Sequence, residues 1–153
     1  MAMFNGYGLL LVEDDSNDIL LIQRAFRRAN LTIPISIVKD GDEAIDYLLG
    51  HGQYANRASH AMPSLILLDL KLPRRSGLEV LEWLRAQPVL RRIPVVVLTS
   101  SEESEDVNCA YEMGVNSYLV KPVTFDALIA MIEALNGYWL TVNQYPSLSQ
   151  AAG

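Results

Sequence analysis

Residues 64–77, SLILLDLKLPRRSG, contain four consecutive apolar residues that are followed directly by Asp69. Such an apolar run is typical of a strand that is buried on both faces of a parallel sheet. A carboxylate at the rim of a protein core costs several kcal/mol unless another group pairs with it. The sequence therefore predicts that groups from distant parts of the chain approach Asp69.

Strand and helix patterns alternate along the chain. Apolar and β-branched runs predict five strands, at residues 9–12, 35–39, 64–69, 94–99 and 117–121. Apolar residues at helical spacing predict a helix after each strand, at residues 16–29, 42–49, 78–86, 102–113 and 124–136. This alternation predicts the doubly wound α/β class, with helices on both faces of a five-stranded parallel sheet. Ligands of such proteins bind beyond the carboxyl ends of the strands.

Two short signals mark helix ends. Gly50 follows the second helix and is predicted to be its C-terminal cap. Residues 100–103, SSEE, fit a capping box at the start of the fourth helix.

The length of 153 residues fits one domain, predicted to span residues 1–153 around a core at about residues 8–136. Two stretches lie outside the simple alternation of strands and helices. Residues 51–63, HGQYANRASHAMP, have the composition of a loop and are predicted to be an insertion. Residues 137–153 form a C-terminal extension that is too short to be a second domain.

Charge and cysteine content limit the class of protein. The net charge of −6 argues against nucleic-acid and anionic-membrane partners, because phosphate binding requires clustered Lys and Arg side chains. Cys109 is the single cysteine, which excludes an internal disulfide and fits a reducing compartment. The N-terminal sequence lacks a basic segment, and no apolar run has the length of a membrane span. These features predict a cytoplasmic protein.

Polar residues gather where the predicted strands end: Glu13, Asp14, Asp69, Thr99 and Lys121. Each has an ordinary interpretation when taken alone. The acids suit the start of a helix, threonine is common in strands, and a lysine is usually solvated. Five such residues at the same edge of one parallel sheet instead predict a shared polar pocket.

The charges of this pocket do not balance, because three carboxylates meet one ammonium. Protonation or a divalent cation compensates such an excess of negative charge. Carboxylate ligands without His or Cys suit Mg²⁺ or Mn²⁺ rather than zinc, and Mg²⁺ is our prediction. Mg²⁺ commonly shares its coordination shell with a phosphoryl group, which suggests that Asp69 is the nucleophile in a phosphoryl transfer.

Four segments in this order, LLLVEDD, LILLDLKLP, VVVLTSS and SYLVKP, resemble the receiver domain of two-component response regulators. The resemblance covers about residues 8–136 and implies the flavodoxin-like strand order 2-1-3-4-5, for which a receiver protein is a standard example. Four further segments resemble the small stand-alone regulators that are paired with phytochrome histidine kinases: DYLLGHGQYANR, PRRSGLEVL, RRIPVVVLT and YWLTV. The family therefore implies a sensor histidine kinase, and the narrower match a phytochrome, as partner.

The resemblance implies a role for each matching position. Asp69 accepts a phosphoryl group from a phosphohistidine of the kinase. Asp14, Asp69 and the backbone carbonyl of Lys71 bind Mg²⁺, and Glu13 contributes through a water molecule. Lys121 pairs with one phosphoryl oxygen.

The resemblance also implies that two residues act as the switch. Thr99 hydrogen-bonds a phosphoryl oxygen, and Tyr118 then turns inward into the space that Thr99 vacates. The less favoured alternative for Tyr118, from the residues alone, is an ordinary core or surface position. Similar domains hold the bond between Lys121 and Pro122 in cis.

Lys71 departs from the family pattern, because smaller or neutral residues often follow the phosphoacceptor at this distance. A long cation at the mouth of the pocket predicts slow self-dephosphorylation. The same position separates the switch from a Mg²⁺-dependent hydrolase with an aspartyl-phosphate intermediate, since such enzymes usually carry a second acid there. We therefore expect a phosphoacceptor switch and not an enzyme. A flavin carrier on this fold is disfavoured, because the first strand lacks a Gly-rich phosphate loop.

The fifth predicted helix, residues 124–136, is apolar around more of its circumference than a surface helix needs. One explanation is that residues 138–140 fold back over it. The other is a homodimer through helix four, strand five, helix five and the extension, an arrangement that the family also uses. We favour the dimer.

Overall fold

The computed structural model of the protein describes residues 8–148. Within this range five strands form one sheet: β1 (Leu9–Val12), β2 (Ile35–Val38), β3 (Leu65–Leu68), β4 (Val95–Thr99) and β5 (Ser117–Val120). Five α-helices alternate with them: α1 (Ser16–Arg28), α2 (Gly41–Leu49), α3 (Gly77–Arg85), α4 (Ser104–Glu112) and α5 (Phe125–Tyr138). All neighbouring strands are parallel, in the order β2-β1-β3-β4-β5, which confirms the predicted fold class.

The sheet separates two hydrophobic clusters. Successive side chains of a strand point to opposite faces. Leu10 and Val12 of β1 accordingly belong to the cluster beneath α2 and α3, whereas Leu9 and Leu11 belong to the cluster beneath α1 and α5. This arrangement explains the uninterrupted apolar runs, because both faces of each inner strand are buried. Among residues 8–148, no helix has the length and apolar character that crossing a membrane requires.

The helix ends follow the predicted caps in part. Gly50 ends α2 in the left-handed conformation, with φ of 71°, as predicted. The capping box predicted at residues 100–103 is wrong. Helix α4 begins at Ser104, and its N-cap residue Glu103 makes no side-chain capping bond. The Ser101 hydroxyl donates to Asp106 and accepts the backbone N–H of Glu103 at 3.4 Å, before the helix begins.

The insertion at residues 51–63 is tied to α2 by one arginine. The Arg57 guanidinium donates to the backbone carbonyls of Tyr47 at 2.7 Å, Leu48 at 3.0 Å and His60 at 3.1 Å. Two of these carbonyls lie in the last turn of α2, where backbone acceptors have no partner within the helix. Arg57 therefore supplies hydrogen-bond donors to the C-terminal end of α2 and holds the insertion against that helix.

The described part of the extension crosses from one face of the sheet to the other. Leu140 is buried in the cluster beneath α1 and α5, and Trp139 packs against the same cluster. Farther along, Arg92 donates to the carbonyl of Ser147 at 3.1 Å, and Leu148 packs against the opposite cluster. The extension thus folds back over part of α5, while Tyr138 remains half exposed.

Candidate functional site

The predicted polar residues meet at the carboxyl edge of the sheet. The backbone N–H of Asp69 donates to the carbonyl of Val12 at 3.0 Å, and that of Lys121 donates to the carbonyl of Thr99 at 2.8 Å. These bonds continue β3 along β1 and β5 along β4 by one residue. Because all four strands are parallel, their carboxyl ends lie at the same edge of the sheet, and the side chains there are directed into one space.

Asp69 lies at the centre of this space and is almost completely buried. Its Oδ2 accepts a hydrogen bond from Lys121 Nζ at 2.9 Å. Its Oδ1 accepts from the Thr99 hydroxyl at 2.8 Å and from the Lys71 backbone N–H at 3.1 Å. The buried Asp69 carboxylate therefore has the partners that it was predicted to need. Two of these partners, Thr99 and Lys121, were predicted from the sequence.

Lys121 is shared among three carboxylates. Its Nζ lies 2.5 Å from Glu13 Oε1, 2.8 Å from Asp18 Oδ2 and 2.9 Å from Asp69 Oδ2. An ammonium carries three hydrogens, so each carboxylate receives one hydrogen bond. Asp18 was missed by the sequence reasoning. The available signal was its position on α1 four residues before the buried Ile22, which places it on the inward face of that helix.

The surroundings shift the acidities of the two buried carboxyls in opposite directions. Burial raises the pKa of Glu13 to about 7, although its contact with Lys121 opposes this change. Burial also disfavours the charged form of Asp69, but hydrogen bonds from Lys121, Thr99 and Lys71 outweigh it and hold the pKa of Asp69 below its usual range. Asp69 is therefore ionised at neutral pH, as a nucleophile must be.

The acids form a group suited to a hard cation. Glu13, Asp14 and Asp69 each present a carboxylate oxygen, and these oxygens lie within 4.8 Å of one another. Oxygen ligands of this kind suit Mg²⁺ or Mn²⁺. Asp14 is exposed, so the group opens to solvent and has room for water ligands.

Two residues on β4 and β5 connect this site to the neighbouring loop. Thr99 is fully buried, with its hydroxyl on Asp69. Tyr118 is half buried, packs against the cluster beneath α2 and α3, and donates its hydroxyl to the carbonyl of Ser101 at 2.8 Å. The Lys121–Pro122 peptide bond is trans, in contrast to the cis bond that the resemblance implied.

Lys71 extends over the outer side of the site and is largely exposed. Its ammonium lies 4.0 Å from Asp106 Oδ2, at the start of α4. Asp106 in turn accepts a hydrogen bond of 2.5 Å from the Ser101 hydroxyl. The loop after β3 and the loop after β4 are therefore linked across the mouth of the site by side chains.

Comparison with known proteins agrees with this architecture. The model of the response regulator receiver domain matches residues 9–133. The chain is 43% identical over 138 residues to the probable methanogenesis regulatory protein FilR2 of Methanothrix harundinacea, covering 90% of this chain and 86% of that protein. It is 42% identical to the phosphorylated cyanobacterial phytochrome response regulator RcpA, whose crystal structure aligns with a TM-score of 0.82 over 91% of this chain and 97% of that one.

A third relative has been crystallised with a metal ion. The Mn²⁺-bound form of response regulator Rcp1, a protein of Synechocystis, is 40% identical and aligns with a TM-score of 0.81 over 91% of this chain and 98% of that one. A doubly wound sheet with an acidic pocket, a lysine and a buried threonine at its carboxyl edge defines a class of phosphoacceptor domains. The chain belongs to the response regulator receiver domain family.

Proposed function

We propose that this protein is a phosphoacceptor switch in which Asp69 accepts a phosphoryl group. The observation that carries the proposal is the ionised, buried Asp69 carboxylate held between Lys121 and Thr99. An Asp69 oxygen attacks the phosphorus of a phosphohistidine. The bond from phosphorus to nitrogen then breaks, and the imidazole leaves and takes up a proton. Lys121 and Thr99, which both donate to Asp69, lie where they can contact the oxygens of the transferred group.

The same residues fit a magnesium ion, with Mn²⁺ as an alternative. Asp14, Asp69 and the Lys71 backbone carbonyl are the proposed direct ligands, and Glu13 acts through a water molecule. When bound, the ion supplies positive charge that offsets the acids and the oxygens of the incoming phosphoryl group. The close approach of the Glu13, Asp14 and Asp69 oxygens supports this assignment.

Thr99 and Tyr118 transmit the change. New phosphoryl oxygens favour the conformer in which the Thr99 hydroxyl reaches them instead of Asp69. The space beside Thr99 then becomes available to the Tyr118 ring, whose hydroxyl bond to the Ser101 carbonyl joins β5 to the loop before α4. The switch thus couples a charge on Asp69 to the position of that loop.

The proposed donor is a sensor histidine kinase of the phytochrome type, located with this protein in the cytoplasm. RcpA, named as a phytochrome response regulator, supports the choice of kinase. We propose that residues 1–153 form one receiver domain, with residues 51–63 as an insertion and residues 137–153 as an extension. The alignments with RcpA and Rcp1, which cover nearly the whole of both, support a single domain.

The phosphoacceptor is tested by transfer from a candidate phytochrome kinase and, separately, from a small phosphodonor with Mg²⁺. We expect intact-protein mass spectrometry to detect one phosphoryl group per chain. Asp69→Asn keeps the shape of the side chain but removes its nucleophilic charge, so the adduct should be absent. A phosphorylated Asp69→Asn protein would contradict the assignment. Continuous release of many phosphate equivalents would instead favour a hydrolase.

Lys71→Ala is expected to shorten the half-life of phosphorylated Asp69. Lys71 lies over the mouth of the site, where its ammonium offsets the charge of a phosphoryl group and limits the approach of water. The pairing with Asp106 is exposed, so we expect a change of only a few-fold. The decay of the phosphorylated protein after removal of the donor gives the half-life, and an unchanged value in Lys71→Ala would remove this role.

A homodimer through α4, β5, α5 and the extension is also proposed. Strand β5 is at the edge of the sheet, and Tyr111 on α4 and Tyr138 at the end of α5 are each 52% exposed. Large exposed aromatic side chains beside a free sheet edge are typical of an interface. Because Trp139 and Leu140 already pack on the core, the extension contributes through its exposed side only. Sedimentation at tens of micromolar should detect a dimer, and a monomer alone would end this proposal.

A further inference from the structure

Asp18 differs from the other two carboxylates on Lys121. Glu13 and Asp69 belong to the group of oxygens that fits a divalent ion, whereas Asp18 does not. Asp69 is also the residue that becomes phosphorylated under the proposed function. Asp18 is therefore the one partner of Lys121, among residues 8–148, that keeps its full charge through every step.

The position of Asp18 is fixed by its own helix. The Asp15 side chain caps α1 and accepts the Asp18 backbone N–H at 3.0 Å. Ile22, one turn later, is buried in the core and orients the same face of α1 toward the sheet. Asp18 is thus held at the first turn of a packed helix, with its Oδ2 2.8 Å from Lys121 Nζ.

The three attractions on Lys121 change differently when the site is loaded. A cation shared by Glu13 and Asp69 offsets their charge and weakens their attraction for the ammonium. Phosphorylation then replaces the carboxylate charge of Asp69 with the charge of the phosphoryl oxygens, which Lys121 has to reach. The attraction from Asp18 is not reduced by the cation, so its share in orienting Lys121 is largest in the cation-bound site before transfer.

We propose that Asp18 is a positioning residue for phosphoryl transfer, which acts by holding the Lys121 ammonium within reach of the phosphoryl group. This inference rests on the proposed function of Asp69. The simpler explanation is that Asp18 is a first-turn acid that only stabilises the N-terminus of α1. The two explanations differ in their dependence on Lys121, because stabilisation of the helix N-terminus does not require the lysine.

The test measures the rate of phosphorylation of the full chain by a small phosphodonor at saturating Mg²⁺. Asp18→Ala is expected to slow the reaction about fivefold, in keeping with a half-exposed charged hydrogen bond. Asp18→Asn retains an oxygen acceptor without the charge, so its rate should be intermediate. Asn17→Ala, an exposed neighbour in the same turn, serves as the matched control and should react at the wild-type rate.

The decisive comparison repeats Asp18→Ala in a Lys121→Met background. If Asp18 acts through Lys121, the substitution has no further effect there, so the two changes are not additive. A fivefold loss that persists without Lys121, or a wild-type rate in Asp18→Ala, would overturn the inference alone. Absence of phosphorylation in the wild type, or its persistence in Asp69→Asn, would overturn the proposed function and this inference with it.

Discussion

Gly77→Ala is expected to lower the free energy of unfolding by about 3 kcal/mol or more. Gly77 begins α3, and its N–H donates to the carbonyl of Leu70 at 3.0 Å. A Cβ added at this position would lie 2.2 Å from the backbone oxygen of Asp69 and 2.7 Å from the Cα of Leu70. Both atoms belong to the backbone, so no side-chain rotation relieves the overlap. Either α3 or the segment after β3 must move.

The control is the same substitution on α5. Gly137 has no neighbouring atom within 4 Å of an added Cβ, and it lies inside the helix. Gly137→Ala should therefore raise stability by about 0.5 kcal/mol, because alanine loses less backbone entropy in a helix. Urea unfolding of both variants measures the two free energies. Equal effects would show that α3 does not depend on close approach to Asp69.

The Gly77 contact also links stability to chemistry. Strand β3 ends at Leu68, directly before Asp69, the proposed phosphoacceptor. The start of α3 lies against the backbone carbonyl of Asp69. A displaced α3 would shift this carbonyl and weaken the hydrogen bonds that hold the Asp69 carboxylate. Among Gly77→Ala molecules that still fold, phosphorylation should be slower than in Gly137→Ala.

Much of this arrangement was predictable from local patterns. The apolar runs identified all five strands within one residue at each end, because strands buried on both faces have few polar positions. Parallel pairing then forces the residues after each strand to one edge. The register that pairs Val12 with Leu68 places Glu13 beside Asp69, so these neighbours follow from the strand ends alone.

Other contacts were not predictable, because they join side chains whose separation along the chain carries no periodic signal. Asp18 and Lys121 are 103 positions apart, and no motif in the sequence relates the two positions to each other. The local sequence SSEE favours a capping box at residues 100–103, whereas α4 begins beyond it, at Ser104. The Ser101 hydroxyl donates instead to Asp106, a contact that the position of α4 decides.

Lys121→Met is expected to slow phosphorylation of Asp69 about a hundredfold. The substitution keeps an apolar stem but removes the ammonium that all three carboxylates share. The phosphoryl group would then approach a site with more negative charge and one fewer donor. Lys39→Met is the matched control, since Lys39 is exposed and follows β2 as Lys121 follows β5. A rate within a few-fold of the wild type would contradict the role of Lys121.

The same variant should change how stability depends on pH in metal-free protein. The pKa of Glu13 is raised to about 7, so its contribution is complete below the unfolded value near 4.5 and is lost as pH rises through about 7. The contribution of Asp69 has the opposite sign, because its pKa is lowered. It stabilises the folded protein at neutral pH, and this stabilisation is lost as pH falls.

Without Lys121, burial at Asp69 is opposed by the hydrogen bonds from Thr99 and Lys71 alone, so the pKa of Asp69 should rise. The pKa of Glu13 should rise as well, because the contact with Lys121 that lowers it is gone. The free energy of unfolding of Lys121→Met should therefore fall more steeply between about pH 5 and about pH 8 than that of the wild type or Lys39→Met. Equal slopes in urea unfolding would mean that Lys121 does not compensate these acids. A steeper slope would identify the Lys121 ammonium as the group that compensates the buried carboxylates.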